Sequence, residues 1–143
     1  MNEIEISTDQ ARLDLQVVHR FLAQESHWAR GIDRATVERS VRNSLCFGAF
    51  SNGAQVGFAR VVTDRATFAF VCDVFVLPQA RGRGVARLLV EAITAHPELQ
   101  GLRRMALTSR DAQGLYERAG FNNLANPERW MERFFPGIYG AAS

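Results

Sequence analysis

Two glycines set between an apolar run and a helix-like run give the chain its sharpest chemical signal. The segment Val74-Phe75-Val76-Leu77-Pro78-Gln79-Ala80-Arg81-Gly82-Arg83-Gly84-Val85-Ala86-Arg87 reads as a strand, a tight turn and the start of a helix. Successive backbone N–H groups at such a junction can converge on one anion. Glycine lets the backbone approach a phosphate without a Cβ in the way. Arg81, Arg83 and Arg87 add guanidinium groups, whose geometry suits phosphate oxygens. The expected ligand therefore carries phosphate, with pyrophosphate the best fit. Just before the loop stands Asp73, a lone carboxylate in an otherwise apolar run. Burial would raise its pKa toward that of a useful general base. The alternative is a structural ion pair with an arginine, and the residues leave both open. Tyr116, four residues before Gly120-Phe121, stands near the end of a short helix. Taken alone it reads as a core or packing residue rather than a catalyst.

Other phosphate loops fit less well. A dinucleotide fingerprint needs a third glycine, and Arg87 stands in its place. A Walker loop needs Gly-Lys-Ser/Thr, and the chain has no lysine. An Arg-Gly RNA-binding tract is normally repeated and disordered, whereas this one is single and framed by apolar elements.

These groups must be positioned by the surrounding elements. Ile4 and Ile6 alternate with polar residues over 3–7, a first strand. Thr8 or Asp9 can cap a helix with Leu13, Val17, Phe21 and Leu22 as its apolar positions. Residues 25–32, with His27, Trp28 and Gly31, break that pattern, and Asp33 then caps a second helix carrying Val37 and Val41. A β meander follows: a strand over 45–50, a hairpin turn at Ser51-Asn52-Gly53, a return strand over 55–63, a turn at Asp64-Arg65 and a long strand over 67–76. The last is almost wholly apolar and reads as buried on both faces. A helix over 85–95 presents Val85, Leu88, Leu89 and Ala92 and stops at Pro97. A strand over 105–108, a helix over 111–119 ended by Gly120, and a last β segment over 130–134 complete the chain, with Trp130 expected in the core. The order is β-α-α-β-β-β-α-β-α-β, a mixed α/β (α+β) fold in one domain spanning residues 1–143.

The pattern Val-x-Leu-Pro-x-x-Arg-Gly-x-Gly-Val-Ala-x-x-Leu, a strand, then Ala-x-x-Leu-Tyr-x-x-x-Gly-Phe resembles the GNAT superfamily of acyl-CoA-dependent N-acetyltransferases. The family's Arg/Gln-x-x-Gly-x-Gly/Ala pattern is met in two frames, Gln79-x-x-Gly82-x-Gly84 and Arg81-x-x-Gly84-x-Ala86. The resemblance implies a mixed, mostly antiparallel sheet with helices on both faces and a splayed strand pair at the cofactor. It implies backbone contacts from Val74, Phe75 and Val76 to the pantetheine arm of acetyl-CoA. It places the pyrophosphate on N–H groups of Gly82, Arg83, Gly84, Val85, Ala86 and Arg87, beside Arg81. Tyr116 matches the tyrosine that acts as general acid toward the departing thiolate. Ser109 stands where many relatives carry an asparagine that contacts the cofactor, and serine has a shorter reach. The acceptor is a primary amine on a small molecule or peptide, approached past His27 and Trp28. Arg30 and Arg60 could hold an acidic acceptor, and many relatives pair as homodimers.

Composition narrows the alternatives. The 143 residues are 47% hydrophobic and 22% charged, ordinary for a folded protein. All 17 basic residues are arginine and 15 carboxylates oppose them, leaving a net charge of +2. Composition bias accounts for the arginines; the functional reading is that a handler of reactive acyl groups avoids amines of its own. So small a net charge argues against nucleic acid as partner. No apolar run approaches the ~20 residues of a membrane span. The acidic N-terminus lacks a signal-peptide pattern, and Cys46 and Cys72 are too few for a disulfide framework, so a cytoplasmic protein is expected. Cys72 is a nucleophile only by residue type, and Cys46 reads as core. The three histidines and scattered carboxylates show no metal spacing. The main alternative to catalysis is a regulatory protein that binds acyl-CoA without turning it over.

Overall fold

Short-range sequence signals account for the way the chain begins. A computed structural model describes residues 3–140; Met1 and Asn2 of the acidic N-terminus, and residues 141–143, lie outside the described residues. Strand β1 (Ile4–Ser7) is followed not by one continuous helix but by two pieces. Asp9 caps a single 3-10 turn, and Asp14 caps α1 (Leu15–Arg20) by accepting from the N–H groups of Gln16 and Val17. Both aspartates are good caps, so the helix restarts at the second. The helix then widens into a π-type turn over Phe21–Glu25, closed by the Ser26 N–H donating to the Phe21 carbonyl at 2.9 Å. Asp33 caps α2 (Arg34–Arg42) as expected, accepting from the Thr36 N–H at 2.8 Å.

Strands β2 (Leu45–Ser51), β3 (Ala54–Thr63), β4 (Phe68–Val76) and β5 (Arg104–Leu107) join β1 in a five-stranded sheet in sequence order. The first three pairings are antiparallel and β4 with β5 is parallel. Two helices, α3 (Val85–Ala95) and α4 (Gln113–Arg118), flank β5 in sequence. One core, on the α3 face, joins Phe47, Ala49, Ala59, Val61, Ala69 and Val71 to Val85, Leu89 and Ile93. The other, on the α1 and α2 face, joins Val18, Leu22, Val37 and Val41 to Cys46, Phe58 and Phe75. Helices thus cover both faces of a mostly antiparallel sheet, as the resemblance implied. The buried side of α3 runs through Val90 and Ile93, and Leu88 is only half-buried.

A bulge divides β4. The register runs Arg60↔Cys72 and then Phe58↔Phe75, so β4 carries one residue more than β3 across that interval. Asp73 sits there with φ 53°, a conformation that aspartate tolerates better than most residues. Ala69 and Val71 belong to the α3 core before the bulge, whereas Phe75 belongs to the opposite core after it. The strand is not buried on both faces along its length. Ala69, Val71 and Phe75 are buried, while Phe70, Cys72, Asp73 and Val74 are half-buried, and the last three lie beyond the stretch of β4 that pairs with β5.

Gly57 in β3 shows how closely α3 is seated. A Cβ there would lie 3.0 Å from Val85 Cγ1 and 3.2 Å from the Phe75 carbonyl oxygen.

The expected β segment over 130–134 is not a strand here, and Trp130 is 40% exposed rather than core. A strand exists only where a ladder satisfies its backbone, and the five strands of the chain's sheet do not include these residues. Instead the Arg104 guanidinium lies over the Trp130 ring, 5.1 Å from its centroid.

Candidate active site

The site grows from the place where two parallel strands part. The β4–β5 ladder runs from Phe68↔Arg104 to Val71↔Leu107 and ends there, although β4 continues to Val76. Beyond that point the backbone edge of β4 has no β5 partner, and an open cleft of about 540 Å³ separates Cys72, Asp73 and Val74 from Thr108, Ser109 and Arg110. His27, Trp28 and Tyr116 complete its walls. The structure thus brings together Asp73, Val74, Ser109 and Tyr116 from three separate stretches of sequence.

Tyr116 is fixed by the way α4 ends. The Phe121 N–H donates to the Tyr116 carbonyl and the Gly120 N–H to that of Glu117, both at 3.0 Å. With Gly120 at φ 97° this is a Schellman ending. The apolar contact that accompanies such an ending is made by the two rings, Phe121 against Tyr116 edge-on at 5.9 Å. Burial pushes the phenol's pKa up, so it stays protonated through neutral pH.

Asp73 is gripped from two sides. Arg60 Nε donates to its Oδ2 and Trp28 Nε1 to its Oδ1, each at 2.8 Å. The side chains of Arg60 and Asp73 are only 19% and 10% exposed. Arg60 also donates to Ser44 Oγ at 3.1 Å, which ties β3 and β4 to the residue just before β2. Burial acts most strongly and lowers the Arg60 pKa, but the Asp73 charge, the Cys72 and Cys46 sulfurs and the Asp73 hydrogen bond together outweigh it and hold the pKa above its usual value. Arg60 is therefore committed to Asp73 and Ser44 rather than offered to an acidic acceptor. Trp28 rests against Phe21, with ring centroids 6.5 Å apart, and its indole N–H is used inward. Arg30 points elsewhere, donating to the Gln24 carbonyl. Of these links, only an ion pair to Asp73 was readable as an option in the sequence; the Trp28 hydrogen bond was not.

Cys72 lines the cleft, yet burial pushes its thiol to about 12 and that of Cys46 to about 12. Neither is a nucleophile at neutral pH.

At the other end of the cleft's β4 wall, Pro78–Ala80 makes a 3-10 turn and leads to the glycine loop. Gly82 and Gly84 take φ 81° and 76°. Gly84 is the N-cap of α3 and supplies no side-chain cap. The first-turn N–H groups of α3, at Val85, Ala86 and Arg87, have no carbonyl within a helix to pair with. A Cβ on Gly82 would meet nothing within 4 Å. An uncapped helix start with clear space beside it fits a pyrophosphate. The arginines are arranged around it: Arg81 Nε donates to the Val76 carbonyl, Arg83 reaches Ser51 Oγ at 3.3 Å, and Arg87 pairs with Glu91 at 2.9 Å. Ser109 Oγ accepts from the Ala112 N–H at 3.0 Å, so this hydroxyl shapes the turn into α4 and keeps its proton and one lone pair to offer a ligand.

Comparison with known proteins gives a consistent picture. A family model described as an acetyltransferase (GNAT) domain matches residues 42–123. A protein of Gibberella zeae that carries the name of an acetyltransferase is 30% identical over 134 residues, covering 78% of this chain and 74% of that protein. The crystal structure of a GNAT-family acetyltransferase from Xanthomonas campestris pv. campestris superposes with a TM-score of 0.95 at 50% identity, covering 99% of each chain. The ribosomal-protein-S18-alanine N-acetyltransferase of Escherichia coli matches with a TM-score of 0.69 at 25% identity, over 86% of this chain and 80% of that one.

Proposed function

The chain belongs to the GNAT acetyltransferase family, and from that premise we propose that it transfers an acetyl group from acetyl-CoA directly to a primary amine. One observation carries the reading: the parted strands open a cleft whose walls hold both a carboxylate, Asp73, and a protonated phenol, Tyr116.

In this reading the unpaired edge of β4 at Val74, Phe75 and Val76 takes the pantetheine arm by strand-like hydrogen bonds. The N–H groups from Gly82 to Arg87 take the pyrophosphate, with Arg81, Arg83 and Arg87 nearby. A neutral amine attacks the thioester carbonyl; a C–N bond forms and the C–S bond breaks. Asp73 accepts the amine's proton. A carboxylate has about four acceptor sites, so the Arg60 and Trp28 hydrogen bonds leave two available. The Tyr116 phenol gives its proton to the departing thiolate, and the pKa gap between them, near 10 against ~8.5 before burial acts, makes the donation uphill but feasible at short range. The acceptor enters past His27 and Trp28, and the whole chain acts as a single acetyltransferase domain.

The test is release of CoA thiol on mixing with acetyl-CoA and a broad amine panel. Tyr116→Phe should lose turnover with little change in cofactor affinity. Asp73→Asn with an unaltered pH–rate profile would remove the base role. Acetyl-CoA at ~100 times its dissociation constant should stabilise the protein by ~2.7 kcal/mol. No thermal shift would sink the proposal at its first step, and a shift without CoA release on any amine would favour the acyl-CoA-binding regulator. We also take the working unit to be a homodimer, a state supported by the exposed Phe134 and Phe135.

A further inference from the structure

Trp28 is oriented in an unusual way for a partly exposed tryptophan. Its ring is 43% exposed on the cleft wall, yet its one polar atom is turned inward, donating to Asp73 Oδ1 at 2.8 Å. An indole with one end in water can give its N–H to solvent. Here the loop over 26–33 brings it to the carboxylate instead. Ser26, only 1% exposed, donates from Oγ to the Leu22 carbonyl at 2.6 Å and accepts from the Ala29 N–H at 3.0 Å. The Gly31 N–H donates to the Ala23 carbonyl at 3.0 Å, and His19 Nε2 donates to the Ile32 carbonyl at 2.9 Å. The π-type turn over Phe21–Glu25 that leads into the loop is a rare form, found mostly at functional sites. A chain of rings then ties the loop to β4: Trp28 lies 6.5 Å from Phe21, and Phe21 stacks at 4.1 Å on Phe75, just past Asp73.

The carboxylate needs this second donor. The terminal torsion of an aspartate is broad, with no sharp rotamer to hold it. Arg60 fixes only Oδ2, at 2.8 Å from its Nε. With Oδ1 also held, the carboxylate plane is set, and each oxygen keeps an acceptor site. We propose that Trp28 is a positioning residue for acetyl transfer: its indole N–H fixes the plane of the Asp73 carboxylate so that a free lone pair meets the proton of the incoming amine. This rests on the base role of Asp73 proposed above and adds the group that aims the base. The indole N–H bond stays intact throughout, while the amine's proton passes to Asp73. A ring that merely anchored the loop would do so with or without its N–H, so a single atom separates the two roles.

Two replacements in the full chain remove that atom. Trp28→Phe keeps an aromatic ring beside Phe21, and benzothienylalanine at the same position keeps the bicyclic shape with sulfur in place of N–H. Circular dichroism and thermal melts check that both fold. CoA thiol release is followed at saturating acetyl-CoA with the best amine of the panel. Both variants should lose kcat by ~10–100-fold with the acceptor KM within ~3-fold of the parent, the pattern of a reacting group that is present but misaligned. In an Asp73→Asn background, assayed at high enzyme concentration, no base remains to be aimed, and Trp28→Phe should lower kcat by less than ~2-fold. A readout free of turnover comes from NMR of nitrogen-labelled protein. The chain's two tryptophans give two indole N–H signals, and that of Trp28 should move on Asp73→Asn. An unmoved Trp28 signal, full activity with benzothienylalanine, or equal losses from Trp28→Phe with and without the Asp73 carboxylate overturns the positioning role. A raised acceptor KM at unchanged kcat overturns it too, because the ring would then be binding substrate. Asp73→Asn with parental activity and pH profile overturns the base role and this inference together. A parent that releases no CoA with any amine overturns acetyl transfer itself, so the three failures are told apart by which protein shows them.

Discussion

Replacing Arg60 by methionine tests whether the clamp on Asp73 holds the β4 bulge together. Methionine keeps most of the aliphatic stem and removes the guanidinium. Asp73, with a side chain only 10% exposed, then keeps the Trp28 N–H and loses its charge partner. Breaking a buried pair from one side typically costs ~3–5 kcal/mol. The surviving indole hydrogen bond puts the expectation at the lower end, ~3 kcal/mol. For a domain of this size that corresponds to roughly 10 °C or more in Tm. The exposed pair Arg34–Glu38, at 3.0 Å on α2, is the control: Arg34→Met should lose only roughly 0.3–0.5 kcal/mol. Asp73→Asn keeps a residue type that accepts positive φ, and it leaves Arg60 uncompensated instead. Combining the two removes both charges, so the double variant should be more stable than the sum of the single losses predicts, with a coupling of ~1.5 kcal/mol or more. Urea titrations of the four proteins provide the cycle. Additive losses, or an Arg60→Met variant within ~1 kcal/mol of the parent, would show that the ion pair does not organise the strand.

Gly57→Ala should destabilise by ~1–3 kcal/mol, because its Cβ collides with Val85 and with the backbone of β4; unchanged stability would mean α3 moves freely on the sheet. Gly84→Ala, at φ 76°, should cost ~1–2 kcal/mol and weaken CoA binding measured by calorimetry, and an unchanged affinity would argue against pyrophosphate on this loop. Stability should fall as pH rises from ~9 toward 12. Folding holds the Cys46 and Cys72 thiols and the Tyr116 phenol neutral, with pKa values raised by burial, whereas the unfolded chain ionises them earlier. The chain has no lysine to add its own alkaline titration, so a urea midpoint that stays flat between pH 8 and 10.5 would contradict this. A thiol reagent at pH 8 should label both cysteines slowly in the folded protein and fast in urea; rapid labelling of Cys72 when folded would show that the cleft leaves its thiolate accessible.

The strands, the glycine loop and the Schellman ending at Gly120 could be read from sequence because each rests on neighbours: alternation, a positive φ, a glycine after a helix. The clamp could not. In the hairpin register that pairs Arg60 with Cys72, an unbulged strand would set Asp73 opposite Ala59 on the other face. Only the extra residue turns Asp73 toward Arg60, and nothing local announces it. Trp28 is 45 residues from its partner, and the loop that carries it has no periodicity to extrapolate. The segment over 130–134 departs from expectation for a related reason: its residues favour a strand, but a strand is a relation between two segments, and no segment among the described residues pairs with it.

The bulge has a consequence for how this strand can change. Odd-numbered residues before Asp73 point to the α3 core, and even-numbered ones do so after it, as Val74 and Val76 show. Asp73 therefore acts as a change of parity in the middle of a strand. Deleting it would not merely remove a carboxylate. It would send Phe75 out of its stack on Phe21, now 4.1 Å between ring centres, and into the space fitted to the smaller valines. Substitutions at this position are limited by chemistry, but deletions are limited by arithmetic. A one-residue indel between Cys72 and Phe75 should be far more damaging than a longer one in the loop at Asp64 and Arg65, where no face has to be kept.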